Sequence, residues 1–308
     1  MLRKIAFIFM LLAVYAAADA ESLYVGTYNI RLKNTGDSIQ GDGWKRRCPI
    51  ICDMINFDAP DIFGSQEVLY PQLQDMLAAL DSYDYIGVGR DDGKTAGEYS
   101  PIFYNKSTLD LLKSGTFWLS ETPSIAGLKG WDAAFPRVCT WGQFTVKNGG
   151  YRFWYFNLHM DHIGVVARQE AAKLVVAKIK EMCNGAPVIL TGDFNVDQNN
   201  IIFKTFTDSG ILKDTFQAAK HRFITNGTFK SFKSDRYTDS RIDHIFVSPE
   251  FAVQGYGVLT NSYWTPNEES INKEQGKDAP KEIKLSKYQR RNPSDHYPVM
   301  VKLNYFYK

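Results

Sequence analysis

The sequence predicts one continuous α/β domain with two sheets and flanking helices. Short runs of aromatic and β-branched residues, bounded by Gly, Asn, Asp or Pro, recur along the chain, as strands do in a sheet-rich domain. Fewer helical patterns lie between them, with no internal repeat and no low-complexity tract. At 308 residues, 44% hydrophobic and 23% charged, the chain is long enough to bury a large core without disulfides.

Residues 1–20 stand apart from this pattern. Leu2-Arg3-Lys4 supplies a positive start, an apolar run follows from Ile5 to Ala18, and Ala18-Asp19-Ala20 offers an A-x-A cleavage site. This is the layout of a secretory signal peptide, so the mature chain is expected to be residues 21–308, secreted or periplasmic. The run is too short to span a bilayer comfortably, no later segment is long enough, and no transmembrane segment is expected.

Nine strands are expected over 23–31, 62–67, 83–88, 100–104, 138–147, 151–159, 188–192, 242–248 and 297–303. Val165 to Cys183 predicts a helix, with Ala171, Leu174, Val175, Ile179 and Met182 on one face and Asn184-Gly185 closing it. Residues 44–56 and 71–80 are further helix candidates, the second opening on Pro71. The polar segment from Asn261 to Asn292 reads as a long surface loop.

Setting aside residues 1–20 removes two basic side chains and one acidic one, leaving a nearly neutral protein. It lacks the broad positive field of a tight, non-specific nucleic-acid binder, although a local basic patch remains compatible with nucleic acid. Cys48, Cys52, Cys139 and Cys183 fit no zinc spacing, and buried free thiols are expected for most of them.

The chemistry gathers where strands end. Asn29 closes "YVGTYNI", Glu67 ends "DIFGSQEV", and "WYFNLHMDH" ends in Asn157, His159, Asp161 and His162. "VILTGDFN" delivers Asp193 and Asn195, "DSRIDHIF" opens on Asp243, and Asp295-His296 precede the final strand. Period-two alternation puts Phe153, Tyr155, Asn157 and His159 on one face, which turns polar as the strand ends. Each residue alone suits a turn or a cap; six repetitions of one arrangement point to a site.

The ordered set TYNI, SQEV, NLHMDH, GDFN, RIDHIF and SDHYPV resembles the endonuclease/exonuclease/phosphatase superfamily, from about Tyr24 to Met300. The intervening text looks like an exported bacterial branch. The resemblance implies a four-layer α/β sandwich, two mixed sheets face to face with helices outside and the site at one edge between them. It implies metal ligands in Asn29, Glu67 and Asp295, and catalytic roles for His159, Asp193, Asn195, Asp243 and His296, with Asp243 orienting a His.

Physical chemistry supports a bound cation if those acids converge. Two carboxylates ~4 Å apart repel by ~4 kcal/mol at an effective dielectric near 20, and oxygen donors favour a hard ion, Mg²⁺ with Mn²⁺ or Ca²⁺ as substitutes. No Ser, Cys or Thr sits in a nucleophile motif, so water is the expected attacking group on a phosphate ester. Asp193 is expected to activate or position that water, with His296 the alternative base, Asn195 to hold it or a phosphate oxygen, and His159 and His296 to stabilise developing charge.

In abasic-site endonucleases another acidic metal ligand lies two positions after the motif Asn; here that position is Arg31, which argues against that activity and for a single principal metal. Glu98, Arg137, Arg290 and Arg291 are peripheral substrate candidates, whereas His162, His221 and His244 read as structural. The expected function is a secreted, metal-dependent, nuclease-like phosphodiesterase. The alternative is a phosphatase or phospholipase C-type enzyme acting on inositol or sugar phosphates or sphingomyelin-like headgroups. Paired carboxylates alone also suit a glycosidase, but that leaves the histidines and amides without a role. A monomer with no protein partner is expected.

Overall fold

The computed structural model describes residues 21–306; the expected signal peptide lies outside them. Strand β1 (Glu21–Asn29) leads through α1 (Thr35–Ile39) and α2 (Trp44–Asp58) to β2 (Ile62–Gln66). Then come α3 (Tyr70–Ala79), β3 (Tyr83–Ile86), β4 (Ile102–Asn105), β5 (Leu109–Trp118), β6 (Val138–Val146) and β7 (Arg152–His159). Helix α4 (Val165–Cys183) crosses to β8 (Val188–Asp193), followed by α5 (Ile201–Thr207), β9 (Lys213–Asp214), α6 (Thr215–Ala218) and β10 (His221–Phe223). After β11 (Asp243–Val247) and β12 (Phe251–Val258) come β13 (Tyr263–Pro266), β14 (Lys273–Gln275), β15 (Lys284–Ser286), β16 (Tyr288–Arg291) and the closing β17 (Val299–Tyr305).

The strands form two mixed sheets. One has the order β10-β12-β17-β1-β2-β4-β3 and the other β5-β6-β7-β8-β11-β9. Three apolar interfaces make four layers of them. Val25, Ile62, Phe153, Ile189, Ile245 and Val301 belong to the cluster between the sheets. Ala171, Val175 and Ile179 of α4 pack on Phe156 and Leu190, and Trp44, Ile51 and Leu73 of α2 and α3 pack on Phe63 and Phe103. The parallel pair β7–β8 needs a crossover, and α4 supplies it.

All nine expected strands and all three expected helices are present, with shifted ends. Strands β5 and β12 escaped the sequence reading because their apolar pattern is broken. The middle of β5 is exposed around Lys113 and Ser114, and Gly255 and Gly257 interrupt β12. The segment from Asn261 to Asn292 is not a plain loop. Residues 263–266 pair with 288–291, and 273–275 pair with 284–286, as two ladders. The second ladder is almost wholly exposed on both faces and none of the four pieces is buried, so no apolar alternation marks them.

One trend along the central strands positions the site. Facing the opposite sheet, β7 runs Phe153, Tyr155, Asn157, His159, and β8 runs Ile189, Thr191, Asp193, apolar at one end and ionisable at the other. Between those ends the sheets are tied by buried polar groups. The Tyr155 hydroxyl donates to Gly26 O at 2.8 Å and accepts from Gly64 N at 3.0 Å. Asn157 Nδ2 donates to Ser65 O and Pro101 O at 2.8 and 2.9 Å. Its Oδ1 accepts from Gln66 Nε2 at 2.7 Å and Thr191 Oγ1 at 3.1 Å. Gly64 permits this approach, since a Cβ there would run into the Asn157 amide.

Beyond β7, Asp161 fixes the loop over residues 130–137. Its carboxylate accepts from Ala134 N, Ile163 N, Gly164 N and Arg137 Nε at 3.1, 3.0, 2.7 and 3.2 Å. Burial raises the Asp161 pKa, but these backbone donors, with Arg137, override it and bring it down to about 2.

Two outcomes follow. Replacing Asn157 with Leu removes four buried hydrogen bonds, although Pro101 O, Thr191 Oγ1 and Gln66 Nε2 each keep a second partner, and should lower the unfolding free energy by about 3 kcal/mol, read from urea unfolding. Because the folded pKa of Asp161 is depressed, its stabilisation is present above its ordinary 3.8 and lost as pH falls through about 2. The stability gap between the parent and Asp161→Asn should therefore be widest near neutrality and close across that acid window.

Candidate active site

The polar ends of β1, β2, β7, β8 and β11, with the segment before β17, open into a cleft of about 710 Å³. Glu67, His159, Asp193, Asn195, Asp295 and His296 line it, brought together from widely separated segments. Asn29 bridges two of these acids at its base. Its Nδ2 donates to Glu67 Oε1 and Asp193 Oδ2, both at 3.0 Å, and its Oδ1 accepts from Arg31 N at 3.0 Å. Asn29 thus aligns the two carboxylates through its Nδ2, while its Oδ1 fixes the backbone of the turn after β1.

The imidazoles flank Asp193. His159 Nε2 lies 3.6 Å and His296 Nε2 3.7 Å from Asp193 Oδ2. His296 Nδ1 is 2.8 Å from Asp243 Oδ2, the orienting contact expected from sequence. Burial alone would strip the proton from His296, but the charge and hydrogen bond of Asp243, with Asp193 and Asp295 nearby, lift its pKa to about 10. His159 moves the other way: burial, then Arg137 and Arg90, push it well below its ordinary value. At neutral pH one imidazole is a cation and the other is neutral.

The acids show the crowding that the sequence implied. Burial, then the Asp243 charge, raises Asp193 far above the usual carboxylate range, with His296 pulling back. Asp295 is raised by burial first; His296 lowers it and Glu67 raises it. Arg31 Nη1 sits 3.6 Å from Asp295 Oδ2 and 3.9 Å from Glu67 Oε2, so a cation already stands between the two carboxylates. Its Nε is anchored on Asp37 at 2.9 Å.

Five lining residues adopt left-handed backbone: Arg31, Glu67 and Asn195 with φ of 60°, 60° and 50°, and Ser231 and Phe232 with φ of 54° and 58°. Such conformations cost about 1–3 kcal/mol each for non-glycine residues and persist where surroundings enforce them. For the first three the enforcing bonds are Arg31 N to Asn29, Leu32 N to Glu67 Oε2 at 3.1 Å, and Asn195 N to Asp193 Oδ1 at 3.0 Å. Asn195 Nδ2 also donates to Met160 O at 2.9 Å, so that end of the amide holds the loop rather than a water.

Among the peripheral candidates, Glu98 and Arg137 line the cleft. Glu98 pairs with Arg90 at 2.8 Å and lies 3.8 Å from His159 Nδ1. Arg137 reaches Asp161 and His162, and its Nη1 is buried without a partner. Arg290 and Arg291 are not brought to the cluster. Arg290 bonds Ser262, and Arg291 pairs with Asp42 at 2.8 Å, because both belong to β16 and its exposed ladder.

The sequence reading missed Arg90, Phe135, Phe229 and Phe232, which line the cleft from loops, and it took His162 for structural although His162 lines the cleft too. It also missed Lys230. The Lys230 Nζ donates to Ser294 O at 2.7 Å and His296 O at 3.2 Å, bracing the backbone that carries Asp295 and His296. Burial drives its pKa down to about 7 against the pull of Asp295 and Asp243. Apart from His162, which follows the end of β7, none of these residues ends an apolar strand, the main signal available to single-sequence reading.

Residues 26–296 match the Endonuclease/Exonuclease/phosphatase family. The chain is 48% identical to a solved endonuclease/exonuclease/phosphatase family protein of Bacteroides thetaiotaomicron, covering 94% of this chain and 100% of that one at a TM-score of 0.86. It is 49% identical to the mannosyl-6-phosphatase of Bacteroides thetaiotaomicron VPI-5482, covering 91% and 99% at a TM-score of 0.84. TDP2 of D. rerio, complexed with single-strand DNA product, shares the fold at 17% identity, 92% and 99% coverage and a TM-score of 0.63. This chain belongs to the endonuclease/exonuclease/phosphatase family, whose members are metal-dependent hydrolases of phosphate esters, and is a phosphoesterase of that family.

Proposed function

We propose that the protein is an exported, Mg²⁺-dependent phosphatase that releases inorganic phosphate from sugar phosphates, with a hexose 6-phosphate as its substrate class. The observation that carries the hydrolytic part is the convergence of Glu67, Asp193, Asp295, His159 and His296 on one cleft floor, with Asp243 bonded to His296 at 2.8 Å. Near half-identity to a mannosyl-6-phosphatase over almost the whole chain favours the sugar-phosphate reading over the nuclease-like one. So does the near-neutral charge. Export rests on the N-terminal pattern of residues 2–20; among the described residues no helix is long and apolar enough to cross a membrane.

Two groups of side chains could hold an ion. Asp193, Asp243 and His296 present ligand atoms within 4.8 Å of one another. His296, however, already has its Nδ1 engaged with Asp243 Oδ2 at 2.8 Å, so two members of that trio are committed to each other. Glu67 and Asp295 fit better, as hard oxygen donors that already accept the positive charge of Arg31 between them. A divalent ion there supplies charge that polarises the phosphoryl group and stabilises the departing oxygen.

The chain's own residues do the rest. Asp193, unusually basic for a carboxylate, accepts a proton from water as its oxygen attacks phosphorus and the phosphorus–oxygen bond to the sugar breaks. The cationic His296 and neutral His159 donate hydrogen bonds to the phosphoryl oxygens as charge builds on them. The products are inorganic phosphate, which keeps one of the water's protons, and the free sugar hydroxyl, which takes up the other as Asp193 gives it back through solvent.

Purified residues 21–308 should release phosphate from mannose 6-phosphate in Mg²⁺ and lose that activity in EDTA; release that persists in EDTA would falsify the metal assignment. Glu67→Gln should cut kcat by about 10³-fold and weaken Mg²⁺ binding measured calorimetrically. Asp243→Asn removes the charge that holds the His296 proton, so burial then governs and the His296 pKa falls from about 10. Wild type should keep the imidazolium up to that pH, whereas the variant should lose its ring N–H resonance and its activity at a lower pH, by NMR titration and pH–rate profile.

A further inference from the structure

The hydrolytic steps leave one wall of the cleft unused. Beside His159, the cleft is lined by Arg90, Phe135 and His162. Phe135 is 47% exposed, which is unusual for a large aromatic held this firmly. The Arg90 guanidinium lies 5.2 Å from its ring centre. His162 stacks on it nearly parallel, at 6.1 Å and 13°.

The loop that carries Phe135 has no regular structure, yet it is tied down at both ends. Trp131 N donates to Glu121, and Ala134 N and Phe135 N donate to Asp161. Asp132 accepts from Val166 N and Ala167 N at the start of α4. An exposed ring fixed in advance loses little entropy on contact with a ligand. The neighbouring polar groups are equally set. Arg137 can only donate, so its 2.9 Å contact makes His162 Nδ1 the acceptor and leaves the His162 proton on Nε2. Arg90 and Glu98 form a bidentate pair at 2.9 and 2.8 Å that offers donors and acceptors with no net charge.

A half-exposed aromatic ring, with a guanidinium and an imidazole set against it, matches the chemistry of a pyranose, which has a C–H face and a rim of hydroxyls. A charged partner would find no net counter-charge in the Arg90–Glu98 pair, and a lipid tail would leave these polar groups unmatched. We propose that Phe135, with Arg90 and His162, forms the subsite that holds the sugar ring of the substrate, the ring face lying on Phe135 and the hydroxyls meeting the Arg90–Glu98 pair and His162. This subsite rests on the sugar-phosphatase reading above.

The test compares wild type, Phe135→Ala and Phe135→Trp on mannose 6-phosphate, on glycerol 2-phosphate, which lacks a ring, and on a 5′-phosphorylated oligonucleotide, all in Mg²⁺ with EDTA controls. The expected result is that Phe135→Ala lowers the preference for mannose 6-phosphate over glycerol 2-phosphate by about tenfold, through KM rather than kcat, and that Phe135→Trp restores it. Equal loss on both small substrates, or no loss, overturns the subsite and leaves the phosphatase reading standing. A wild type that prefers the oligonucleotide, with Phe135→Ala weakening that preference, overturns both and makes the ring a base-stacking platform. Absence of metal-dependent phosphate release from all three overturns the reading and the subsite with it.

Discussion

Two sheets pressed together along their length must change from apolar to polar contact without leaving a buried group unpaired, and the Asn157 amide is where this protein meets that condition. Four hydrogen bonds, to Ser65, Pro101, Gln66 and Thr191, use its donors and its oxygen. Below it the interface is Phe153 and Ile189; above it come His159 and Asp193. A half-satisfied network there would be worse than an apolar core. The staple also sets distances, since Asn157 and His159 share a strand face, as do Thr191 and Asp193, so the grip between the sheets places the ionisable groups of the cleft floor.

Above the staple, electrostatics takes over. Glu67, Asp193, Asp243 and Asp295 stand close together in a mostly buried setting, where burial and neighbouring charge raise the proton affinity of Asp193 and Asp295. The protein answers with cations of different strength: a fixed guanidinium in Arg31, an imidazolium in His296 made by Asp243, and Lys230, weakened by burial. The left-handed backbones of Arg31 and Glu67 belong to the same scheme, because each sits where a strand must turn sharply to deliver its side chain to the cluster. Arg31 stands between Glu67 and Asp295 and balances their charge only in part.

The floor of the site was legible in the sequence because it is built on strand ends. Period-two alternation placed Phe153, Tyr155, Asn157 and His159 on one face, and the structure puts that face between the sheets. The Asp243–His296 contact followed from family resemblance and is present at 2.8 Å. The walls were not legible. Arg90, Phe135, Phe229 and Phe232 come from irregular segments whose paths depend on distant anchors such as Asp161, and no local spacing records that dependence. Arg290 and Arg291 show the converse: a basic pair next to a catalytic motif in sequence, carried away from it by a ladder with residues 263–266. Strand β5 was invisible for a related reason, since its exposed middle section lacks the apolar alternation that marks a buried strand.

The central claim is that this cluster directs water to phosphorus. Hydrolysis of mannose 6-phosphate in ¹⁸O-labelled water, with the products analysed by mass spectrometry, tests it most directly. A single turnover should leave one labelled oxygen in inorganic phosphate and none in the sugar. Label recovered in the sugar hydroxyl would show carbon–oxygen cleavage and contradict the account, however well the side chains are arranged.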